Sequence, residues 1–217
     1  MKIALIAGSR EAELLAAKLQ AAGVVLDPSA GVMVAAPHPC DADLWQCAAL
    51  SARGKPHIGL LRPPWRPEAG DSWQLAADAE RAAKLLEKSG AKRALLAVGN
   101  ARLAPFYRLA NIELCVRSRN APHPPAPPRG RLRLIQGPFD VAGEVEELRN
   151  QSIDMIVAHN AGGHGGWPKL AAAQVLGIPV ILIERPELPA MQMVETVEEA
   201  LAWAKRHMGL DVSQAKV

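Results

Sequence analysis

The chain has 217 residues, 49% of them apolar but only 4% aromatic, and a formal net charge of +3. That length makes one large or two small domains around a core of Ala, Leu, Val and Ile. No apolar run is long enough to span a membrane. The mild charge has no basic stripe, which argues against a nucleic-acid partner and suits an anionic small molecule.

Lys2 to Ala7 reads as an apolar strand ending in Gly8, and Glu11 to Ala22 as an alanine-rich helix. The opening is Rossmann-like but carries a single glycine, a weak dinucleotide signal alone. Nothing like a signal peptide precedes it. The odd set Cys40, Cys47 and Cys115 lacks metal-ligand spacing, so reduced thiols in a cytoplasmic protein are expected. Val24 to Leu26 and Val32 to Ala36 read as further strands. The five residues between them are too few for a parallel crossover, so the N-terminal sheet reads as trimmed. Pro37-His38-Pro39 closes the next strand, and Asp41 is a good N-cap for a helix through Arg53, in which Cys47 is expected to pack as a small hydrophobe. His57 to Leu61 is another strand.

Arg62-Pro63-Pro64-Trp65-Arg66-Pro67, followed by Gly70-Asp71 and Trp73, is a stiff connection that can be neither sheet nor helix. It marks a boundary between domains at residues 1–66 and 67–217. Trp65 between arginines suits either stacking on a flat ligand or covering the domain seam. Asp78 to Ser89 is a helix, and Ala94 to Val98 a buried strand with Gly99-Asn100 at its carboxyl end. Ile112 to Val116 is a strand with Arg117 at its end. Ala121 to Pro128 is a proline-rich surface loop, with a polyproline II ligand as the other use. Leu132 to Ile135 is a strand, after which Gly137 permits close backbone approach and Pro138 fixes the start of a helix ending near Asn150.

Met155 to Ala158 is a short buried strand, and the loop after it has glycines at 162, 163, 165 and 166. Pro168 suits the first turn of a helix to Leu176, Gly177 its left-handed cap, and Val180 to Ile183 a second buried strand. This βαβ unit puts the glycine loop at a carboxyl strand edge beside a helix N-terminus, where ligands bind in open α/β sheets. A ligand-free turn is the competing reading, since the pattern is neither GxGxxG nor a P-loop. Thr196 and Glu199 form a capping box ahead of Lys205, Arg206 and His207 at the helix's negative end, and Met208 to Val217 reads as a polar, frayed tail.

The glycine loop with KLAAAQVLGIPVILIERP resembles the C-terminal signature of precorrin-6A reductases. His38-Pro39, the Arg62–Trp73 block, Gly99 with Leu103, Pro105 and Phe106, and Gly137-Pro138-Phe139 are similar to further blocks of that family. The chain departs from it in a poorer glycine opening, a missing strand and helix, Asn100 where arginine is common, and His159 where lysine is common. The resemblance implies an α/β fold of two Rossmann-like parallel-sheet domains, the first trimmed, with residues 72–75 exchanged as a strand between them. It implies NADPH- or NADH-dependent reduction of precorrin-6A or cobalt-precorrin-6A in cobalamin biosynthesis, by a monomer acting on an anionic tetrapyrrole. A non-catalytic tetrapyrrole- or nucleotide-binding paralogue is the alternative.

On this resemblance Gly8, Ser9, Glu11, His38 and Pro39 are expected at the nucleotide. Gly99, Asn100, Gly137, Pro138, Phe139, His159, Asn160, Gly162 and Gly163 are expected at the macrocycle, the two ligands sharing a cleft between the halves. The macrocycle's carboxylate arms call for cations, for which Arg62, Arg66, Arg117 and Lys169 are candidates. No catalytic dyad stands out, since the nicotinamide carries the chemistry. His159 and His164 lack a third ligand at metal-site spacing, so no metal is expected. His159, in place of a permanent cation, is expected to make binding pH-dependent, and a valine at Gly163 to spoil binding at little cost to the fold.

Overall fold

The computed structural model describes residues 1–118, 129–134 and 137–210. The proline tract at 121–128, the last residue of the strand expected at Leu132 to Ile135, and the tail from 211 lie outside the described residues. In chain order the elements are β1 (Lys2–Ala7), α1 (Arg10–Ala21), β2 (Val25–Leu26), β3 (Met33–Ala36), α2 (Ala42–Ser51) and β4 (His57–Leu60). There follow β5 (Trp73–Ala76), α3 (Ala79–Lys88), β6 (Arg93–Ala97), two 3-10 turns (Asn100–Arg102 and Ala104–Arg108), β7 (Glu113–Ser118) and β8 (Gly130–Leu134). The chain continues through α4 (Val141–Asn150), β9 (Met155–His159), α5 (Trp167–Leu176), β10 (Val180–Ile183), β11 (Met193–Val194) and α6 (Val197–His207).

Two compact units result, Met1–Pro63 with Pro186–Val217, and Pro64–Arg185. The first is built on a parallel sheet in the order β11-β4-β3-β1-β2. Alternation along each strand divides its core between two faces. Ile3, Val34, Ile58 and Leu60 pack with Leu15 and Leu19 of α1 and Ala200 and Trp203 of α6. Ala4, Met33 and Ala35 pack with Trp45, Ala48 and Ala52, on the face that α2 covers. Because α2 buries Trp45 and Ala48, Cys47 is left exposed, contrary to the expectation that it packs as a hydrophobe.

The short link between β2 and β3 works because the two strands are not neighbours. β2 pairs with Lys2 and Ile3 on one side of β1, and β3 begins opposite Ala4 on the other. The link therefore steps across β1 without retracing a strand length, and its Ala30 is buried against Ala4 and Met33.

The domain division differs from the expected 1–66 and 67–217. The segment after Arg185 belongs to the first unit, where β11 pairs with β4 (Met193 opposite Gly59, Val194 opposite Leu60) and α6 packs with α1. It covers an edge and a face that residues 1–63 alone would leave bare. The strand expected to be exchanged, residues 72–75, is instead β5, paired with β10 of its own unit. The element that returns across the chain is β11.

The second unit is a six-stranded parallel sheet in the order β5-β10-β9-β6-β7-β8. On one face Ala82, Ala83 and Leu86 of α3 and Phe106 of the second 3-10 turn pack with Leu96, Val116, Val157 and Ile181. On the other, Leu148 of α4 and Leu170 and Ala173 of α5 pack with Leu95, Ile156 and Leu182. From β6 the chain runs outward through β7 and β8, and from β9 the opposite way to β10. The carboxyl ends of β6 and β9 therefore straddle a topological switch point, where such sheets bind ligands.

Expected helix signals recur here. Asp41 and Thr196 cap α2 and α6, the latter as a full capping box, and Gly177 ends α5 at φ 65°. Pro138 is an exception. The Gly137–Pro138 peptide is cis, Asp140 is the N-cap, and α4 starts only at Val141, so the proline precedes the helix rather than occupying its first turn.

Candidate functional site

In the first unit the carboxyl ends of β1, β3 and β4 lie side by side. Ser9 Oγ donates to the Ala36 carbonyl at 2.8 Å and accepts the Ala12 N–H at 3.2 Å, so one hydroxyl ties β1 to β3 and caps α1. Gly8 lets these loops pass, since a Cβ there would come 3.1 Å from His38 N. His38 Nδ1 accepts the Cys40 N–H and its carbonyl accepts Trp45 Nε1, both at 3.2 Å, fixing the His-Pro turn with Pro39 buried. Glu11 and Arg62, expected at different ligands, form an ion pair with each other at 22% and 13% exposure. What this edge presents is backbone at exposed Gly8 and the start of α1, beside the exposed side chain of Arg10.

In the second unit a clip orders the glycine loop. Asn160 Oδ1 accepts the Trp65 N–H at 2.8 Å and its Nδ2 donates to the Trp65 carbonyl at 3.0 Å. Trp65 Nε1 donates to the Gly163 carbonyl at 2.9 Å. Arg185 donates to the carbonyls of Asn160 (2.9 Å) and Ala161 (3.1 Å). Buried Trp65 is thus an internal anchor rather than a stacking platform. Gly162 and Gly163 stand at φ 69° and 70°. A β-branched residue in that region costs of order 1–3 kcal/mol, so valine at Gly163 strains the fold as well as any site, contrary to expectation.

Lys169 lies on this clip, its Nζ donating to the Gly166 carbonyl at 2.7 Å and standing 5.2 Å from the centre of the Trp65 ring. Gly166 has no room for a side chain, because a Cβ would meet Trp65 Cη2 at 2.7 Å and Lys169 Nζ at 2.9 Å. Burial lowers the Lys169 pKa to about 8, Glu144 pulling it back up and Arg117 adding to the fall. Beside it Arg117 Nη1 donates to both oxygens of Glu144, at 2.8 and 2.6 Å, with the side chains only 8% and 6% exposed.

These groups line an open cavity of about 140 Å³, formed by Ala97, Arg117, Ser118, Phe139, Glu144 and Lys169 with Gly165, Gly166 and Pro168. Ser118 Oγ donates to Asn100 Oδ1 at 2.7 Å, linking Asn100 to the wall. Of the expected substrate residues, Arg117, Phe139 and Lys169 are therefore brought together directly. Gly99, at φ 71°, starts the turn after β6. His159 is buried at the end of β9, paired in register with Ile183, and is not among the lining residues. The four candidate cations do not act as one set. Arg62 pairs with Glu11 in the first unit, Arg66 is exposed, and Arg117 is neutralised by Glu144. Sequence reading missed Glu144, Ser118 and Arg185. Glu144 alone had a local signal, as an acid in the first turn of a helix.

A protein-family model described as "Precorrin-6x reductase CbiJ/CobK" matches residues 26–205. The precorrin-6A reductase of Rhodococcus erythropolis is 40% identical over 174 residues, 79% of this chain and 70% of that protein. The precorrin-6A reductase of Rhodobacter capsulatus is 38% identical over 161 residues, 74% of this chain and 64% of that protein. The chain thus spans about two thirds of the length of these curated relatives. A solved structure described as CobK precorrin-6A reductase is similar with a TM-score of 0.85 at 30% identity, covering 95% of this chain and 97% of that one.

Proposed function

The chain belongs to the precorrin-6x reductase family, an oxidoreductase family of cobalamin biosynthesis, and from that premise we propose that it reduces precorrin-6A or its cobalt-containing counterpart with NADPH or NADH. The observation that carries the reading is the family match from residue 26 to 205, which takes in strands of both sheets.

When bound, the nicotinamide supplies the hydride. The first unit's residues fit a dinucleotide through backbone more than side chains. Exposed Gly8 and the α1 N-terminus offer N–H groups and the positive end of a helix dipole to a pyrophosphate. Ser9, His38 and Pro39 hold that backbone in place, and Glu11 orients Arg62 beside it. In the second unit the macrocycle lies over the switch point, on the loops bearing Gly99, Asn100, Gly137, Pro138 and Phe139, with buried His159 ending the strand before the glycine loop. Asn160, Gly162 and Gly163 keep the floor in shape. A ligand of drug size needs a pocket of roughly 300–1,000 Å³, so the ring itself stays outside this cavity of about 140 Å³.

Anaerobic incubation with precorrin-6A and each nucleotide, followed by the tetrapyrrole's absorption spectrum, tests the reading. Loss of the substrate spectrum together with oxidation of one nucleotide is expected. An unchanged spectrum with both nucleotides overturns it, and tight macrocycle binding in that case identifies a binder without turnover.

A further inference from the structure

We propose that the cavity between Lys169 and the Arg117–Glu144 pair is a socket for one carboxylate, the end of a single pendant arm of the macrocycle, with the Lys169 ammonium as its counter-ion. That the carboxylate belongs to a tetrapyrrole rests on the function proposed above. The anion socket itself rests only on the cavity.

Size comes first, since about 140 Å³ admits an acetate- or propionate-sized group but not a macrocycle. The charges on the wall come next. Glu144 would repel an incoming anion, but Arg117 holds both of its oxygens in a pair buried to 8% and 6% exposure, so the two charges cancel where they stand. The remaining charge of the wall is Lys169. An ammonium has three N–H donors, and the Gly166 carbonyl takes one. The Trp65 ring and the Gly166 backbone fix its place, and the lack of room for a Cβ at Gly166 keeps them close.

One further donor belongs to a residue of the same wall. Arg117 Nε is buried with no hydrogen-bond partner among the described residues. At the start of α5 the Trp167 N–H is taken by the His164 carbonyl at 3.3 Å and Pro168 has none, so the first two residues of the helix add no donor.

Filling the socket is coupled to protonation. The charged groups facing Lys169 are Glu144 from α4 and Arg117 from β7. Burial holds its pKa down at about 8. An anion alongside raises that pKa, so at neutral pH the bound Lys169 is fully charged and the arm is held by a buried ion pair.

The test uses the full chain with neither nucleotide nor macrocycle. Each lysine's acetylation by trace acetic anhydride, whose released acetate stays far below the added propionate, is quantified by peptide mass spectrometry, in non-carboxylate buffer at about pH 7, with propionate or the neutral isostere propionamide. Propionate is expected to slow acetylation of Lys169 by about tenfold, leaving the other lysines and the propionamide control unchanged. Glu144→Gln leaves the Arg117 charge uncompensated as a second cation of the wall, and protection is then expected at lower propionate concentration. Equal slowing of all lysines, or equal protection by propionamide, overturns the socket. Protection without any reduction of precorrin-6A would keep the socket and remove the proposed function. Turnover without protection would do the reverse.

Discussion

At the carboxyl edge of the first sheet, polar side chains are turned inward onto their own unit. Ser9 bonds to Ala36, His38 ties up its own turn, and Glu11 holds Arg62, leaving exposed backbone at Gly8. At the carboxyl edge of the second sheet, charged side chains line a cavity, with the Arg117–Glu144 pair and Lys169 in its wall. A backbone face suits a group common to many ligands, such as a pyrophosphate. A charged cavity suits one particular arm of one particular molecule.

Substitutions should separate the two edges by size of effect. Removing one partner of the buried pair, as in Arg117→Ala, leaves Glu144 uncompensated and should cost about 3–5 kcal/mol in urea unfolding. A loss below about 1 kcal/mol would put the pair in the class of surface bridges and erase the contrast.

Gly166→Ala comes next. The new Cβ collides with Trp65 and the Lys169 amine, so overpacking of about 1–3 kcal/mol should appear, with weaker propionate protection of Lys169. Gly165→Ala is the matched control, since none of the described residues has an atom within 4 Å of a Cβ there, and it should unfold like the parent.

Lys169 gives a smaller, graded effect. Its folded pKa, about 8, lies below the ordinary 10.5, so between those values the unfolded chain binds a proton that the folded one does not. Stability should therefore rise with pH across that window, by at most about 1.4 kcal/mol per pH unit from this group. Unfolding midpoints of Lys169→Met should lack that component. Carboxylate affinity moves oppositely, full below the bound-state pKa and falling as pH rises through it. Smallest of all is Glu11→Ala in the first unit, expected to cost about 1 kcal/mol or less by the same unfolding assay, because its ion pair with Arg62 is partly solvated.

Much of the fold could be read locally. The continuous apolar run of β9, Pro168 at the start of α5 and Gly177 at its end specify that βαβ unit within a single stretch. Asp41 and Thr196 announce their helices through spacing alone. What escaped depends on partners remote in sequence. β11 has two residues and no periodicity, and only the free edge of β4 selects it. Cys47 follows the phase set by Trp45, which the alanine-rich pattern of α2 does not fix. Arg117 meets Glu144 across 27 positions and Trp65 meets Asn160 across 95, so their mutual neutralisation and clipping are invisible to motif spacing. The glycine loop is legible as a turn at a carboxyl strand edge, but the tryptophan that shapes it lies in another block.

The return of residues 186–217 to the first unit sets an order for synthesis. Residues 64–185 form one uninterrupted unit and can complete their sheet as they leave the ribosome, since domains fold as units while the chain grows. The first unit, though begun earlier, cannot close until β11 emerges. In the interval β4 has an open edge, and the α6 layer over Ile58 and Leu60 is missing. An unpaired edge and bare apolar face are what holdase chaperones bind and what promotes aggregation. The nascent chain is thus most exposed to misassembly while β4 waits for β11, and the arrival of α6 ends that interval.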